Sequence, residues 1–393
     1  MFKGQYVFSQ ITDHLPLHTF RRCVERYHGE RYVKQFRCFD QYLAMSFAQL
    51  THRESLRDIE ACLKAQSSKL YHMGLRSSIS RSTLADANEQ RDWRIYADFA
   101  QALIKIARPL YAGDELGLDL KNTVYALDAS TIDLCFSVFP WALFRSTKSA
   151  VKLHTLLDLR GNIPSFIHIS EGKLHDVNAL DMIIPEAGSF YVMDRAYLDF
   201  ERLFSLNNSG AFFVIRSKNN ILFKRRYSSP VEKTNGIRCD QTIRLTGLNT
   251  KNKYPKPLRR VKYHDNETNK TLNLLTNNEI IPAQTVADLY RYRWKVELFF
   301  KWIKQHLHIR TFFGTSENAL KSQIWIAISV YVLIAIIKKQ LNIKAELYTI
   351  LQVLSLTLFE KIPLEQLLGN SHYMEHTREN AIQLNLFDNL TGH

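Results

Sequence analysis

Between residues 120 and 217 the hydrophobic pattern follows one order: strand, strand, strand, helix, strand, helix, strand. TVYALD is a short β-rich run that ends at Asp128. VKLHTLLDL and IPSFIHI flank Arg-Gly-Asn and read as a β-hairpin. HDVNALDMIIPEA reads as a helix, and SFYVMD as a buried strand ending at Asp194. LDFERLFSLNNSG is a helix with a glycine stop, and AFFVIRSK is a fifth strand. This order describes a mixed α/β layer.

Helical sequence precedes that layer. Up to about residue 112, amphipathic stretches such as FDQYLAMSFAQL and SLRDIEACLKAQ alternate with short polar breaks. In ISRSTLADANEQRDWRIYADFAQALIKIA, Thr83 followed by Asp86 reads as a weak capping box at the start of one long helix. The turn LRSSIS before it allows a helix-turn-helix, and a plain helical bundle accounts for the same pattern. The apolar run IWIAISVYVLIAII, Ile324 to Ile337, is shorter than the roughly 20 residues a membrane span needs, and it reads as a buried helix. MFKGQYVFSQ lacks the apolar region of a signal peptide. The five cysteines are scattered and never form C-x-x-C, which favours a reducing compartment over a disulfide framework or a cysteine-ligated zinc.

Charge is concentrated after the mixed layer. The chain carries 52 Lys and Arg against 38 Asp and Glu, a net of +14. Residues 211–280 hold 15 of the cations and 5 of the acids, a net of +10. This polar, Asn-rich stretch reads as short-stranded, with RRVKYHDN and TLNLLTNN suggesting a hairpin. A charge run is ordinarily a solvated loop. Interleaved with Phe212, Phe213, Phe223, Tyr227 and Tyr254, this one fits a nucleic-acid surface better.

A long helix is expected from about Thr285 past Lys304. At 100° per residue, Tyr290, Arg293, Glu297, Lys301 and Lys304 share an arc of about 80°. Val296, Phe299, Phe300 and Ile303 lie on an adjoining apolar flank. The helix would pack by that flank and present a basic stripe with one carboxylate at its centre. Glu297 could serve only in i,i+4 salt bridges with Arg293 and Lys301, worth a few tenths of a kcal/mol each. With Asp128 and Asp194 at strand ends, a helix crossing the sheet rim would bring three carboxylates together. Such a set suits Mg²⁺ or Mn²⁺ rather than zinc. Two such ions support in-line displacement at phosphorus. Asp133, Asp158 and Asp176 are nearby acids that compete for the same reading, and any of them could be a solvated surface acid.

Tyr290, Arg293, Glu297 and Lys304 match, at every spacing, the Y-(2)-R-(3)-E-(6)-K signature of DDE transposases of insertion-sequence family four. LDAST around Asp128 and MDRAY around Asp194 resemble the segments that hold that family's first two catalytic aspartates. One departure is Ala196, where the family often has glycine. The resemblance spans about 120 to 340 and is weaker over the first 110 residues.

The resemblance implies an RNase H-like mixed sheet with a β-rich insertion before the last catalytic helix, plus an N-terminal all-helical domain. The implied layout is 1–115 helical and DNA-binding, 116–216 first part of the core, 217–282 insertion, 283–340 second part of the core, and 341–393 a C-terminal helical region. Asp128, Asp194 and Glu297 would hold two Mg²⁺ ions, with Mn²⁺ able to substitute. Tyr290, Arg293 and Lys304 would contact DNA phosphates, fixing register without reading sequence. Arg195 is a further phosphate contact or a structural salt bridge. The implied partners are double-stranded DNA, as terminal inverted repeats and target, and a second copy in a synaptic homodimer. The implied setting is the bacterial cytoplasm and nucleoid, with no membrane. The alternatives are a nuclease of the same fold without transposition and a catalytically dead inhibitor that binds DNA.

Smaller signals have plainer readings. His154, His168 and His175, like His306 and His308, match no zinc spacing and read as core or surface histidines. Trp294 and Trp302 read as packing residues, with stacking on a flipped base as the alternative.

Overall fold

In a computed structural model of the protein, the described residues are 4–76, 78–145, 148–232, 235–266, 268–306 and 312–369. The chain divides into two compact units. One comprises the chain up to Leu110 and from His306 onward; the other is Tyr111–Gln305.

The first unit is helical. It contains α1 (Val7–Thr12), α2 (Leu17–Arg26), α3 (Cys38–Leu50), α4 (Leu56–Ala65), α5 (Arg81–Gln90) and α6 (Arg94–Tyr111). The segment expected to be one helix is therefore two, α5 and α6. Its cap is Ser80, whose hydroxyl accepts from the Thr83 amide, so the first turn begins before Thr83.

In the second unit, the strands are β1 (Val124–Leu134), β2 (Leu143–Arg145), β3 (Lys148–Asp158), β4 (Ile163–Glu171), β5 (Phe190–Met193), β6 (Phe212–Arg216), β7 (Phe223–Ser229), β8 (Ile237–Leu245), β9 (Leu258–Asp265) and β10 (Lys270–Thr276). Its helices are α7 (Phe200–Asn208), α8 (Thr250–Lys253), α9 (Ala283–Tyr292) and α10 (Trp294–His306). The helical unit then resumes with α11 (Glu317–Gln340), α12 (Leu347–Thr357) and α13 (Leu364–Gly369).

α11 is long and apolar enough to cross a membrane, and 94% of its most apolar stretch is buried inside the protein. It packs on α1, α3, α5 and α12. This is the buried helix expected at 324–337. It groups with the N-terminal helices, whereas the expected layout grouped it with the catalytic core. The reason is visible in the sequence: α3 is as apolar as α11, and each covers the other. Gln41, buried in α3, bonds Asn88 at 2.7 Å and accepts from Arg91 and Tyr96, so this polar group of the bundle interior is satisfied.

The second unit is built on a ten-stranded sheet ordered β2-β3-β1-β5-β6-β10-β9-β8-β7, with β4 also paired to β3. β1, β3 and β4 run antiparallel in succession, whereas β5 is parallel to β1 and β6 to β5. This is the RNase H-like arrangement. The β3–β4 turn is made by Gly161 and Asn162, both at positive φ, as the Arg-Gly-Asn signal required. The segment 176–182, expected to be α-helical, is a 3-10 helix.

The insertion does not form a separate layer. β10 pairs antiparallel with β6, so β7–β10 extend the same sheet. One sheet face carries Tyr125, Leu127, Met193, Phe213 and Ile215, covered by Phe200, Leu203 and Leu206 of α7. α9 packs on β5, β6, β8, β9 and β10. Val296, Phe299, Phe300 and Ile303 of α10 are all buried, as the helical period predicts.

Candidate active site

Strand register alone brings two acids together. The parallel pairing of β1 and β5 ends at Leu127 opposite Met193, and Asp128 and Asp194 are the next residues on each strand. Asp194 terminates its strand as expected. Asp128 does not: β1 continues to Leu134, held by its antiparallel partner β3. Asp128 therefore sits mid-strand, at the level where its parallel neighbour stops.

The third acid arrives on a helix with a break. The expected single helix is α9 and α10, joined at Arg293, where the Arg293 amide reaches Tyr290 by a tighter i→i−3 bond. The break turns Tyr290, Arg293 and Glu297 toward the strand ends. The Tyr290 hydroxyl donates to Asp194 Oδ1 at 2.9 Å. The Arg293 guanidinium donates to Asp128 Oδ2 at 2.8 Å and to Glu297 Oε1 at 2.5 Å. Asp128 is further bonded by the Ala129 amide at 2.8 Å. The resemblance implies that Tyr290 and Arg293 contact DNA phosphates; in this structure both bond the acids.

Burial pushes the Asp128 carboxyl up to about 6 against the pull of Arg293 and the Ala129 amide, and the negative charges of Glu297 and Asp194 push the same way. Burial works against the charge of Arg293, but Asp128, Tyr290 and Glu297 outweigh it and raise its pKa. Burial, with Asp194 alongside, raises the Tyr290 phenol to about 12.

A cavity of about 490 Å³ opens beside the acids, lined by Asp128, Ala129, Ser130, Glu297, Phe300, Lys301 and Lys304. Lys301 and Lys304 are exposed and present their charge to it. Arg195 is exposed in the 3-10 turn just after Asp194. Trp294 is 58% exposed and Trp302 half-buried, so only the second has the packing role expected of both. Two neighbours were not singled out in the sequence. Arg216 comes within 4.0 Å of Asp194. Tyr197 is buried close enough to Asp128 and Asp194 that their charges, after burial itself, raise its pKa. Both lie on segments already read as strand or motif; register sets the side on which Arg216 lies, and the 3-10 turn after Asp194 turns Tyr197 inward.

The donor set is three carboxylates, hard oxygen ligands that fit Mg²⁺ or Mn²⁺. The oxygens of Asp128 and Glu297 already converge on one cationic group, the Arg293 guanidinium. As the side chains stand, among the described residues no group of three His, Cys, Asp or Glu is gathered tightly enough to hold an ion. A divalent ion that used Asp128 and Glu297 would displace Arg293 from those oxygens.

Other expectations resolve simply. His154 is fully buried, bonds Ser170 and is pushed down to about 4 by burial, so it is a neutral core histidine. His308 lies outside the described residues. Of the aromatics in the basic stretch, Phe213 and Tyr254 are core residues and Phe212 is half-buried, while Phe223 and Tyr227 face solvent.

Residues 119–333 match the family described as Transposase DDE domain. The chain belongs to the DDE transposase family. Residues 3–76 match a further family described as Domain of unknown function (DUF4372). A Sinorhizobium fredii protein named as transposase y4zB is 31% identical over 71% of this chain and 77% of its own length. A Geobacillus stearothermophilus protein named as a transposase for insertion sequence element IS5377 is 32% identical over 55% of this chain and 58% of its own. A Synechocystis protein named as a transposase for insertion sequence element IS4SA is 25% identical over 66% of this chain and 72% of its own. As a DDE transposase the chain is an enzyme of DNA cleavage and strand transfer, in a family that uses divalent metal ions.

Proposed function

We propose that this transposase moves an insertion sequence by a cut-and-paste route, with Asp128, Asp194 and Glu297 as its catalytic metal ligands. The observation that carries this reading is that Asp128 and Asp194 directly follow paired positions of two parallel strands, while Arg293 ties Glu297 to Asp128 and Tyr290 bonds Asp194. The acids would hold two Mg²⁺ ions, which when bound supply charge for the attacking and leaving oxygens.

The chain's own residues do the rest. Lys304, Lys301 and Arg195, open to solvent beside the acids, receive the phosphates of the DNA end and fix its register. Water attacks the phosphorus at the transposon end, and the 3′-oxygen leaves with a proton. That 3′-hydroxyl then attacks the opposite strand to close a hairpin, water reopens the hairpin, and the 3′-hydroxyl attacks target DNA. Each step forms one phosphorus–oxygen bond and breaks another. One site therefore serves them all.

Two ends must be processed together, so the working form is a homodimer on two terminal inverted repeats, acting in the cytoplasm on nucleoid DNA. The test is a labelled duplex carrying the flanking inverted repeat, incubated with the protein, Mg²⁺ or Mn²⁺, and target plasmid. Cleavage at the repeat end with joining to the plasmid supports the proposal. Cleavage without joining favours a nuclease of the same fold.

A further inference from the structure

Adjacent arginines in β9 are treated in opposite ways. Arg259 is buried and paired with Asp240 through two bonds, at 2.8 and 2.7 Å, and it also bonds the Ile281 carbonyl. Its charge is consumed inside the fold. Arg260 bonds Gln241 Oε1 at 2.9 Å, Asn273 Oδ1 at 2.9 Å and Cys239 Sγ at 3.4 Å, with its guanidinium 5.2 Å from the Phe223 ring centre. Every one of these partners is neutral. Among the described residues no carboxylate pairs with Arg260. It is held in place, partly open to solvent, with its charge uncompensated.

Register shows that the whole face shares this character. Residues directly opposite in neighbouring strands lie on the same side of the sheet. Arg225 is opposite Ile243, Arg260 opposite Gln241, and Lys262 opposite both Cys239 and Asn273. All belong to the face that continues inward as the core residues Ile243, Leu258 and Leu275. The two acids of these strands, Asp240 and Asp265, are opposite Val261 and Lys270, on the other face. The first face thus carries Arg225, Arg260 and Lys262 and no strand acid. Asp128 and Asp194 are one residue on from Leu127 and Met193, which belong to this core side, so the catalytic acids fall on the opposite face.

We infer that this face of β7–β9, centred on Arg260, binds the phosphodiester backbone of duplex DNA at a stretch other than the one held at the carboxylates. The inference rests on the reading of the chain as a DNA-processing transposase and adds a second contact surface to it. Immobilising an arginine costs side-chain entropy. With no acid to compensate, that cost suits an anion arriving from solvent, and a fixed planar fork fits a phosphate through two parallel bonds. The three cations lie on two strands, β7 and β9, on either side of β8 and so about 10 Å apart, a spread that suits a repeating polyanion better than a single small ion.

The experiment is a fluorescence anisotropy titration of a labelled duplex carrying the flanking inverted repeat, at several salt concentrations. It compares wild type with Arg260→Ala, Arg260→Lys and Arg225→Ala. Arg260→Ala is expected to weaken binding about tenfold at low salt and to reduce the slope of log affinity against log salt by about 0.9, the loss of one phosphate contact. Arg260→Lys is expected to keep the slope. Arg225 is exposed on an edge strand, so Arg225→Ala leaves the fold intact and is expected to reduce the slope in the same way. An unchanged slope in both Arg260→Ala and Arg225→Ala overturns the inference, as does preferential binding of single-stranded RNA. A wild type that binds no duplex at all defeats the proposed function instead.

Discussion

Replacing Asp128 by Asn should make the metal-free protein more stable at alkaline pH, although it removes an acid that the proposed chemistry needs. The Asp128 carboxyl titrates at about 6, against 3.8 for the ordinary group, chiefly because it is buried. The raised value means the folded state binds the proton more tightly than the unfolded chain does. Stability is therefore highest below the ordinary value and is lost as pH rises from about 4 to about 6. Each pKa unit is worth 1.36 kcal/mol, so the full loss is about 3 kcal/mol at pH 8. Asn mimics the protonated acid and escapes it. Urea unfolding followed by tryptophan fluorescence, in EDTA, should show Asp128→Asn more stable than wild type by about 1–3 kcal/mol at pH 8, with the gap closing near pH 4. Adding Mg²⁺ should narrow the gap at pH 8 by stabilising wild type alone. A variant less stable than wild type at pH 8, or a gap independent of pH, would refute the reasoning. It would mean that Arg293 compensates Asp128 fully.

Three further outcomes separate the roles of neighbouring residues. Tyr290→Phe removes the bond to Asp194 and should slow cleavage of bound DNA about tenfold, the worth of one hydrogen bond to a charged group, with duplex affinity unchanged; lost affinity with unimpaired cleavage would make Tyr290 a phosphate contact, as the resemblance implied. Lys304→Ala should do the reverse, lowering the salt slope of binding by about 0.9 while leaving the acids' arrangement intact, and an unchanged slope would exclude it from the DNA. Gly161→Ala should destabilise the second unit by about 1–3 kcal/mol in urea, because Gly161 has φ +72° and a Cβ there would meet the Tyr111 ring at 2.2 Å.

Much of this was legible because local pattern and tertiary role agree. The β1–β5–β6 strands and the apolar flank of α10 are set by hydrophobic period, and the Arg-Gly-Asn turn by its need for positive φ. The direction in which the signature residues point was not legible. A regular helix wheel puts Tyr290, Arg293, Glu297, Lys301 and Lys304 on one stripe facing one partner. The break at Arg293 and the depth of the strand ends divide that stripe, leaving Tyr290 and Arg293 on the acids and Lys301 and Lys304 in the open. Nor could period show that Asp128 sits mid-strand, since its position at the edge of parallel pairing depends on where β5 stops. The charge run illustrates the same limit: Arg259 and Arg260 are indistinguishable as sequence, and only register separates a buried ion pair from a half-buried, uncompensated cation. Grouping α11 with the N-terminal helices required pairing two apolar surfaces far apart in the chain, which no local signal encodes.

Whether Glu297 acts as a catalytic acid together with Asp128 and Asp194 is settled by Glu297→Gln. The substitution keeps the side chain's size and removes its charge. Wild type and variant are mixed with a labelled duplex carrying the flanking inverted repeat, and binding and Mn²⁺-dependent cleavage are measured on the same samples. Equal binding is expected, with cleavage at the repeat end lost in the variant. Equal cleavage by both proteins would reduce Glu297 to a salt-bridge partner of Arg293 and contradict the proposed site.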